Sequence, residues 1–177
     1  MNSYATTPGH AGDVVAAWPK QSAIATPSAA FSAVLFAHPD CPCTQATLTN
    51  LRQLSGRHGD RFDLKIVFFD TAGRHDEWAQ TRLKEMAGQI PGARVALDSD
   101  GAEARLFGVR TSGYVVVFDR EEKVVFSGGV TASRGHAGAS PGLDAIESLL
   151  INDTAPSVGR PAEAAVYGCP LGCALNR

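Results

Sequence analysis

Two cysteines one residue apart, in His38-Pro-Asp-Cys-Pro-Cys-Thr44, are the side chains whose type and spacing best suit chemistry. They stand between an apolar run, Phe31 to Ala37, and a segment with helical periodicity. A thiol at a helix mouth faces the positive end of the helix dipole, which favours the thiolate, the reactive form. Cys41 reads as the nucleophile, exposed at the turn, and Cys43 as the thiol that resolves a mixed disulfide. Cα atoms two residues apart approach the upper limit of about 6.8 Å for a disulfide, so a Cys41–Cys43 bridge is strained and oxidising. A charged His38 lowers a nearby thiol's pKa, and Asp40 opposes it. The plainer alternative is a pair of inert buried thiols, but those are normally scattered on apolar faces rather than set beside proline at a helix mouth. His38 also reads as a solvated loop histidine. Thr44 reads most simply as a helix-start residue whose hydroxyl caps backbone N–H groups.

A second pair, Cys169 and Cys173, lies in a Pro-, Gly- and Ala-rich tail running from Thr154 to Arg177. The stretch from Thr154 to Cys169 spans up to about 50 Å when extended, so the tail can return to the first pair. Three readings stay open. The second pair is an electron shuttle that exchanges with Cys41 and Cys43. Alternatively, all four sulfurs (Cys41, Cys43, Cys169 and Cys173) close on one metal, Zn²⁺ or a [2Fe–2S] cluster; fewer sulfurs, with or without His38, suit Cu(I). Or a local disulfide pins the tail. The redox reading leads and requires no cofactor. A thiol peroxidase is a further option, needing a hydroxyl such as that of Thr44 and an arginine, Arg110 or Arg134, beside Cys41.

These residues need elements to hold them. The run over 31–37 predicts a buried strand. Leu48, Leu51 and Leu54 then line one helical face, which Gly56 ends. Phe62 to Phe69 reads as a central strand, and Ala79, Leu83, Met86 and Ile90 as a helix closed by Pro91-Gly92. A short strand over 94–98 leads to a short helix over 102–107, ended by Gly108. Two strands, 114–118 and 123–126, are joined by the tight turn Asp119-Arg-Glu-Glu122. The loop from Gly128 to Ala139 contains two adjacent glycines, which permit close approach by a partner peptide or by the chain's own tail. Arg134 and His136 in it are candidates to read a carboxylate or move a proton, though a solvated loop explains them as well. Ser140-Pro141 then reads as N-cap and first residue of a final helix carrying Leu143, Ile146, Leu149 and Leu150. The expected divisions are a flexible lead-in over 1–28, one domain over 29–153, and a Cys-bearing tail over 154–177 packed back on it.

Composition narrows the classes. A chain of 177 residues with a net charge of −2 forms one domain and offers no electrostatic case for nucleic acid. No apolar run is long enough to span a membrane, and the first residues lack the basic start and apolar core of a signal peptide. Four cysteines are too few for a disulfide scaffold at this length.

The order β-α-β-α-β-α-β-β-α, with a thiol pair between the first strand and its helix and Gly108-Val109 before the hairpin, resembles the thioredoxin fold. That resemblance covers residues 30–150 and implies a central mixed sheet with helices on both faces. Within the superfamily, His38-Pro-Asp-Cys-Pro-Cys-Thr44, Phe126-Ser-Gly-Gly-Val-Thr131 and Tyr167-Gly-Cys-Pro-Leu171 resemble a small bacterial group called RedB-like. The resemblance implies thiol–disulfide exchange with protein thiols or disulfides. It also implies an outward-facing, periplasmic or membrane-tethered setting, with any anchor upstream of Met1. Three departures stand out. One residue, not two, separates the sulfurs; Gly113 stands where that family has a cis-proline; and Leu35 stands where it has a buried aspartate. The loss of the cis-proline is expected to leave room for a ligand.

Overall fold

Alternation along the strands decides the layers. In the computed structural model, which describes residues 3–70, 82–153 and 160–172, β1 (Phe31–Ala37) is buried on both faces. Ala33, Leu35 and Ala37 point to one core, and Val34 and Phe36 to another, the two-residue period of a pleated strand sandwiched between layers. The first core is closed by Leu48, Leu51 and Leu54 of α2 (Pro42–His58) and by Leu143, Ile146 and Leu150 of the last helix. The second is closed by Phe107 and by Trp18, whose ring meets Phe107 at 5.2 Å and Phe118 at 4.9 Å, both edge-on.

The remaining elements are α1 (Ser3–Thr6), β2 (Phe62–Asp70), α3 (Arg82–Gly88), β3 (Arg94–Ser99), α4 (Ala102–Phe107), β4 (Tyr114–Phe118), β5 (Val124–Gly129), α5 (Pro141–Asn152) and β6 (Ala162–Ala164). The sheet order is β3-β2-β1-β4-β5-β6. β1, β2 and β3 run parallel, β4 is antiparallel to β1 and to β5, and β6 is parallel to β5. The β-α-β-α-β-α-β-β-α order expected from sequence is present, with α1 and β6 added at the ends. Ser140 caps α5 as expected, its hydroxyl accepting from the Leu143 N–H at 3.2 Å. Ala79 of the second predicted helix lies outside the described residues.

Three expectations change. α2 does not end at Gly56 but runs on to His58. Residues 9–24, read from sequence as a lead-in ahead of the domain, run along it. The Trp18 N–H donates to the Glu122 carbonyl at 2.8 Å and Trp18 itself is 5% exposed. The physical reason is area: the second face has the short α4 as its helix, and Trp18 with Val14, Val15 and Ile24 completes the cover. Gly128 and Gly129 belong to β5 rather than to the loop after it. A Cβ at Gly128 would stand 2.1 Å from the Ala164 carbonyl oxygen, so glycine is what lets β6 pair there. The approach those glycines permit is thus taken by the chain's own tail.

The N-terminal ends of the parallel strands hold a buried ion pair. Lys65 Nζ donates to Asp63, which also accepts from Ser28 at 2.6 Å and lies 3.9 Å from Arg94. Burial disfavours the Asp63 charge, but Lys65, Ser28 and Arg94 outweigh it and hold the carboxyl below the usual range. Burial also pulls the Lys65 ammonium down, against the support of Asp63.

Candidate active site

The opposite end of the sheet carries the thiols. β1 ends at Ala37, the chain turns with the Cys41 N–H donating to the His38 carbonyl at 3.1 Å, and α2 begins at Pro42 with Cys41 as its N-cap. No side-chain oxygen caps this helix start, and the Cys43 N–H in its first turn faces the Cys41 sulfur, as does the helix dipole. Thr44 does not cap it. Its hydroxyl donates to the His38 carbonyl at 3.3 Å and lies 3.2 Å from Ser112 Oγ, because the helix mouth is already closed by Cys41 and Pro42.

Three sulfurs meet here. Cys41 accepts a hydrogen bond from the Cys169 thiol and another from Ser112, and the thiols of Cys43 and Cys41 are also hydrogen-bonded. All three described cysteines are free thiols. Their pKa values are driven apart. Burial works against a charge on Cys41, but the side chain and backbone of Cys169, the backbone of Cys43 and the Ser112 hydroxyl outweigh it and lower its pKa. Burial and then the neighbouring Cys41 charge push Cys43 up, with Arg134 opposing. The same two causes, burial first, push Cys169 up to about 12. Cys41 is therefore the first of the three to give up its proton, and Cys43 and Cys169 keep theirs longer.

Cys41 is not the exposed turn residue expected from sequence; it is 1% exposed, against 7% for Cys43. The tail is the reason. The Ser112 N–H donates to the Cys169 carbonyl at 2.8 Å, and the Leu171 N–H donates to the Arg110 carbonyl at 2.7 Å, around an antiparallel bridge of Thr111 with Pro170. Gly113 sits at φ +88°, and no cis peptide bond occurs among the described residues. The room that the missing proline was expected to leave for a ligand is lined by this tail, with Gly168 packed on the Ser112 carbonyl.

His38 serves mainly through its backbone: its N–H donates to Ser112 Oγ at 2.9 Å and so fixes the hydroxyl that faces Cys41. Its ring accepts from the Asp40 N–H at 3.1 Å and stacks on Phe69 at 5.9 Å. Arg134 reaches the cluster: its guanidinium donates to the Gly168 carbonyl at 2.6 Å and acts on Cys43 and Cys169. The loop bearing Arg134 is clamped by Asn50, fully buried on α2, which donates to Val130 and Gly138 carbonyls at 2.7 and 3.1 Å and accepts from Gly138 at 2.8 Å. His136 stays with its own loop, on Ser133 and the Arg134 carbonyl. Cys173 lies outside the described residues. Among the described residues no three His, Cys, Asp or Glu side chains are arranged to hold a metal ion.

Sequence reasoning gave Ser112 and Asn50 no role. Ser112 had one signal, its place next to Gly113 in the loop that faces the thiols. Asn50 had a subtler one, an amide at a position on the apolar face of a helix, where a polar group must find partners.

No protein-family model and no curated protein matches this sequence. Solved structures do match in fold. An uncharacterised conserved protein from Geobacillus kaustophilus superposes with a TM-score of 0.65 at 17% identity, over 97% of this chain and 95% of that one. A hypothetical protein from Sinorhizobium meliloti 1021 gives 0.62 at 18%, over 81% and 80%. A thioredoxin-like protein solved in its oxidised form gives 0.50 at 16%, over 86% and 97%. This chain has the thioredoxin-like fold. Among the described residues no helix is long and apolar enough to cross a membrane.

Proposed function

We propose that this thioredoxin-fold chain is a thiol–disulfide redox protein with Cys41 as nucleophile, Cys43 as resolving thiol, and Cys169 with Cys173 as a second couple. One observation carries the reading: Cys169 of the tail meets the buried Cys41 and Cys43 at the mouth of α2, where the Cys41 pKa is lowered while those of Cys43 and Cys169 are raised. A nucleophile and its proton-bearing successors must differ in this way.

The exchange balances as follows. The Cys41 thiolate attacks one sulfur of a partner disulfide, the partner S–S bond breaks, and the other partner sulfur leaves as thiolate and takes up a proton. Cys43 then loses its proton, attacks Cys41, and releases the second partner thiol. Two electrons pass to the partner and a Cys41–Cys43 disulfide remains. Because that bridge is strained, Cys169 stands ready to take over Cys41 by the same exchange, leaving Cys43 reduced. The Arg134 guanidinium faces both Cys43 and Cys169 and favours whichever leaves as thiolate. Protein thiols or disulfides in an outward-facing compartment, as the RedB-like resemblance implies, complete the reading.

Mixing the reduced protein with oxidised glutathione and following products by mass spectrometry tests it. Cys41→Ser should bring exchange to background. Cys43→Ser and Cys169→Ser should each react once, and the variant that accumulates the Cys41–glutathione adduct has lost the resolving thiol. Metal analysis of anaerobically purified protein is the control. Stoichiometric iron, zinc or copper that disappears in Cys169→Ser, together with background exchange in the parent, would replace this reading with a metal-carrying one.

A further inference from the structure

A nucleophile that is 1% exposed cannot be reached by a protein-sized disulfide. Exchange needs the attacking sulfur in line with the S–S bond, which requires an open approach on one side of Cys41. The side that opens toward the 110–113 loop is occupied by the chain itself. Gly168 lies so close that a Cβ there would come 1.8 Å from the Ser112 carbonyl oxygen. Cys169 and Leu171 take the Ser112 N–H and the Arg110 carbonyl, the two backbone groups that this edge presents beside the thiols. The Arg134 guanidinium holds the Gly168 carbonyl from the opposite side.

We propose that residues 167–172 are a built-in competitor for the partner's place: they occupy the backbone edge beside Cys41, and a protein disulfide gains access only when they lift. This rests on the redox reading and adds its regulation. The segment is built to lift locally. Upstream it is anchored, since β6 pairs with Phe126, Ser127 and Gly128 of β5, and Val166 is 2% exposed with its carbonyl accepting from Gly9 at 2.8 Å. Downstream of Val166 there is no strand pairing among the described residues, and besides the Arg134 bond to the Gly168 carbonyl and the packing of Leu171 on the second core, the attachment is a short backbone bridge. Pro170 has no N–H to add to the ladder, so the bridge to 110–112 consists of the bonds at Cys169 and Leu171. Backbone bonds exchanged for bonds to water contribute little net, so such a bridge opens far more readily than the strands around it. Lifting it also carries the Cys169 thiol away from Cys41 and leaves Cys43 as the neighbour that resolves. Reseating it returns Cys169 to the nucleophile. The same movement thus admits a partner and sets which thiol answers Cys41.

Gly168→Ala tests this in the full chain. Its methyl group and the Ser112 carbonyl cannot coexist with the tail seated, and Gly168 takes no part in the exchange chemistry. Two rates are read on the reduced protein: alkylation of Cys41 by iodoacetamide, located by peptide mass spectrometry, and single-turnover reduction of insulin. Both rates are read at a pH above the ordinary thiol range, where Cys41 is ionised with or without Cys169 beside it. If the tail competes, apparent reactivity there scales with the open fraction, and both rates should rise by about tenfold or more. Hydrogen exchange supplies the folding control: the Ser112 and Leu171 amides should lose protection while those of β1 and β4 keep theirs. Unchanged alkylation in a variant whose Ser112 and Leu171 amides have lost protection would overturn the proposal. So would a seated tail, with both amides still protected, in the variant. Faster alkylation with insulin untouched in both proteins would sink the redox reading and leave the cover standing. Insulin reduced equally fast by both would do the reverse.

Discussion

The two ends of the sheet bury polar groups to a similar depth and use them oppositely. At the strand starts, Asp63 and Lys65 lie on the second face with side chains 6% and 3% exposed, and each charge meets a fixed charge of the other sign. Ser28, Ser32 and Arg94 take up what remains of the carboxylate, and Lys65 also stands 5.5 Å above the Trp18 ring. At the strand ends, the charge favoured on Cys41 is balanced by hydrogen bonds from other thiols and a hydroxyl. Those partners can give their protons up. A buried charge matched by a permanent counter-charge is structural. One matched by exchangeable protons on groups of the same kind is poised to react, because the proton pattern and the S–S connectivity can both change without moving the fold.

The sharpest way to break this comparison is Lys65→Met. Removing one partner of a buried pair costs about 3–5 kcal/mol when the other is left unmatched, and Arg94, 3.9 Å from Asp63, should hold the loss toward the lower end. Chemical denaturation should show that loss, and the exchange rate per folded molecule should stay at the parent value. Cys41→Ser is the mirror image, with exchange lost and the stability change far smaller. If Lys65→Met were instead to slow exchange in the folded fraction, the two ends would not be independent and the division into structural and reactive clusters would fall.

Asn50→Ala probes the join between scaffold and site. It strands the Val130 and Gly138 groups that Asn50 serves, and the loss of one buried partner costs about 1–3 kcal/mol. Because that clamp holds the loop bearing Arg134, exchange should slow as well as stability fall, unlike in Lys65→Met. A stability loss with unchanged exchange would make Asn50 part of the frame alone.

The contrast between the ends also explains what the residues revealed before any fold was known. The thiol pair at a strand–helix junction is a local pattern, so its place as helix N-cap was legible, as were the strand periods, the Asp119 turn and the Ser140 cap. Cys41's burial was not. It depends on a backbone bridge between residues 110–112 and 169–171, and backbone hydrogen bonds leave no side-chain signature. Pro170 and Gly168, which read as marks of an irregular tail, are what that bridge requires. Trp18 gave a warning that went unheeded, since a lone tryptophan among small residues has a large apolar surface to hide. Asp63 and Lys65 alternate with Phe62, Leu64 and Ile66, a pattern that equally fits the polar face of a strand. Nothing in the alternation distinguishes a solvated face from one covered, as here, by Trp18, 47 residues before Lys65 in the chain.

A single hydrogen bond to the Cys41 charge should have the least effect of all. Cys41 is an acid whose folded pKa lies below its ordinary value of 9.0, so its thiolate persists as pH falls below the range in which a free thiol is protonated. The rate of Cys41 alkylation should therefore show an inflection on the acid side of that value. The Ser112 hydroxyl is the last of the groups that hold the charge, behind Cys169 and Cys43. In Ser112→Ala the inflection should move upward in pH, toward the ordinary value, and the fully ionised rate at high pH should stay close to the parent's. Cys169→Ala removes the first of those donors and should move it in the same direction. The direction is the discriminating result. A hydroxyl with only a packing role would alter the plateau and leave the inflection where it was, and the charge at this end of the sheet would then rest on the tail thiol and the helix mouth alone.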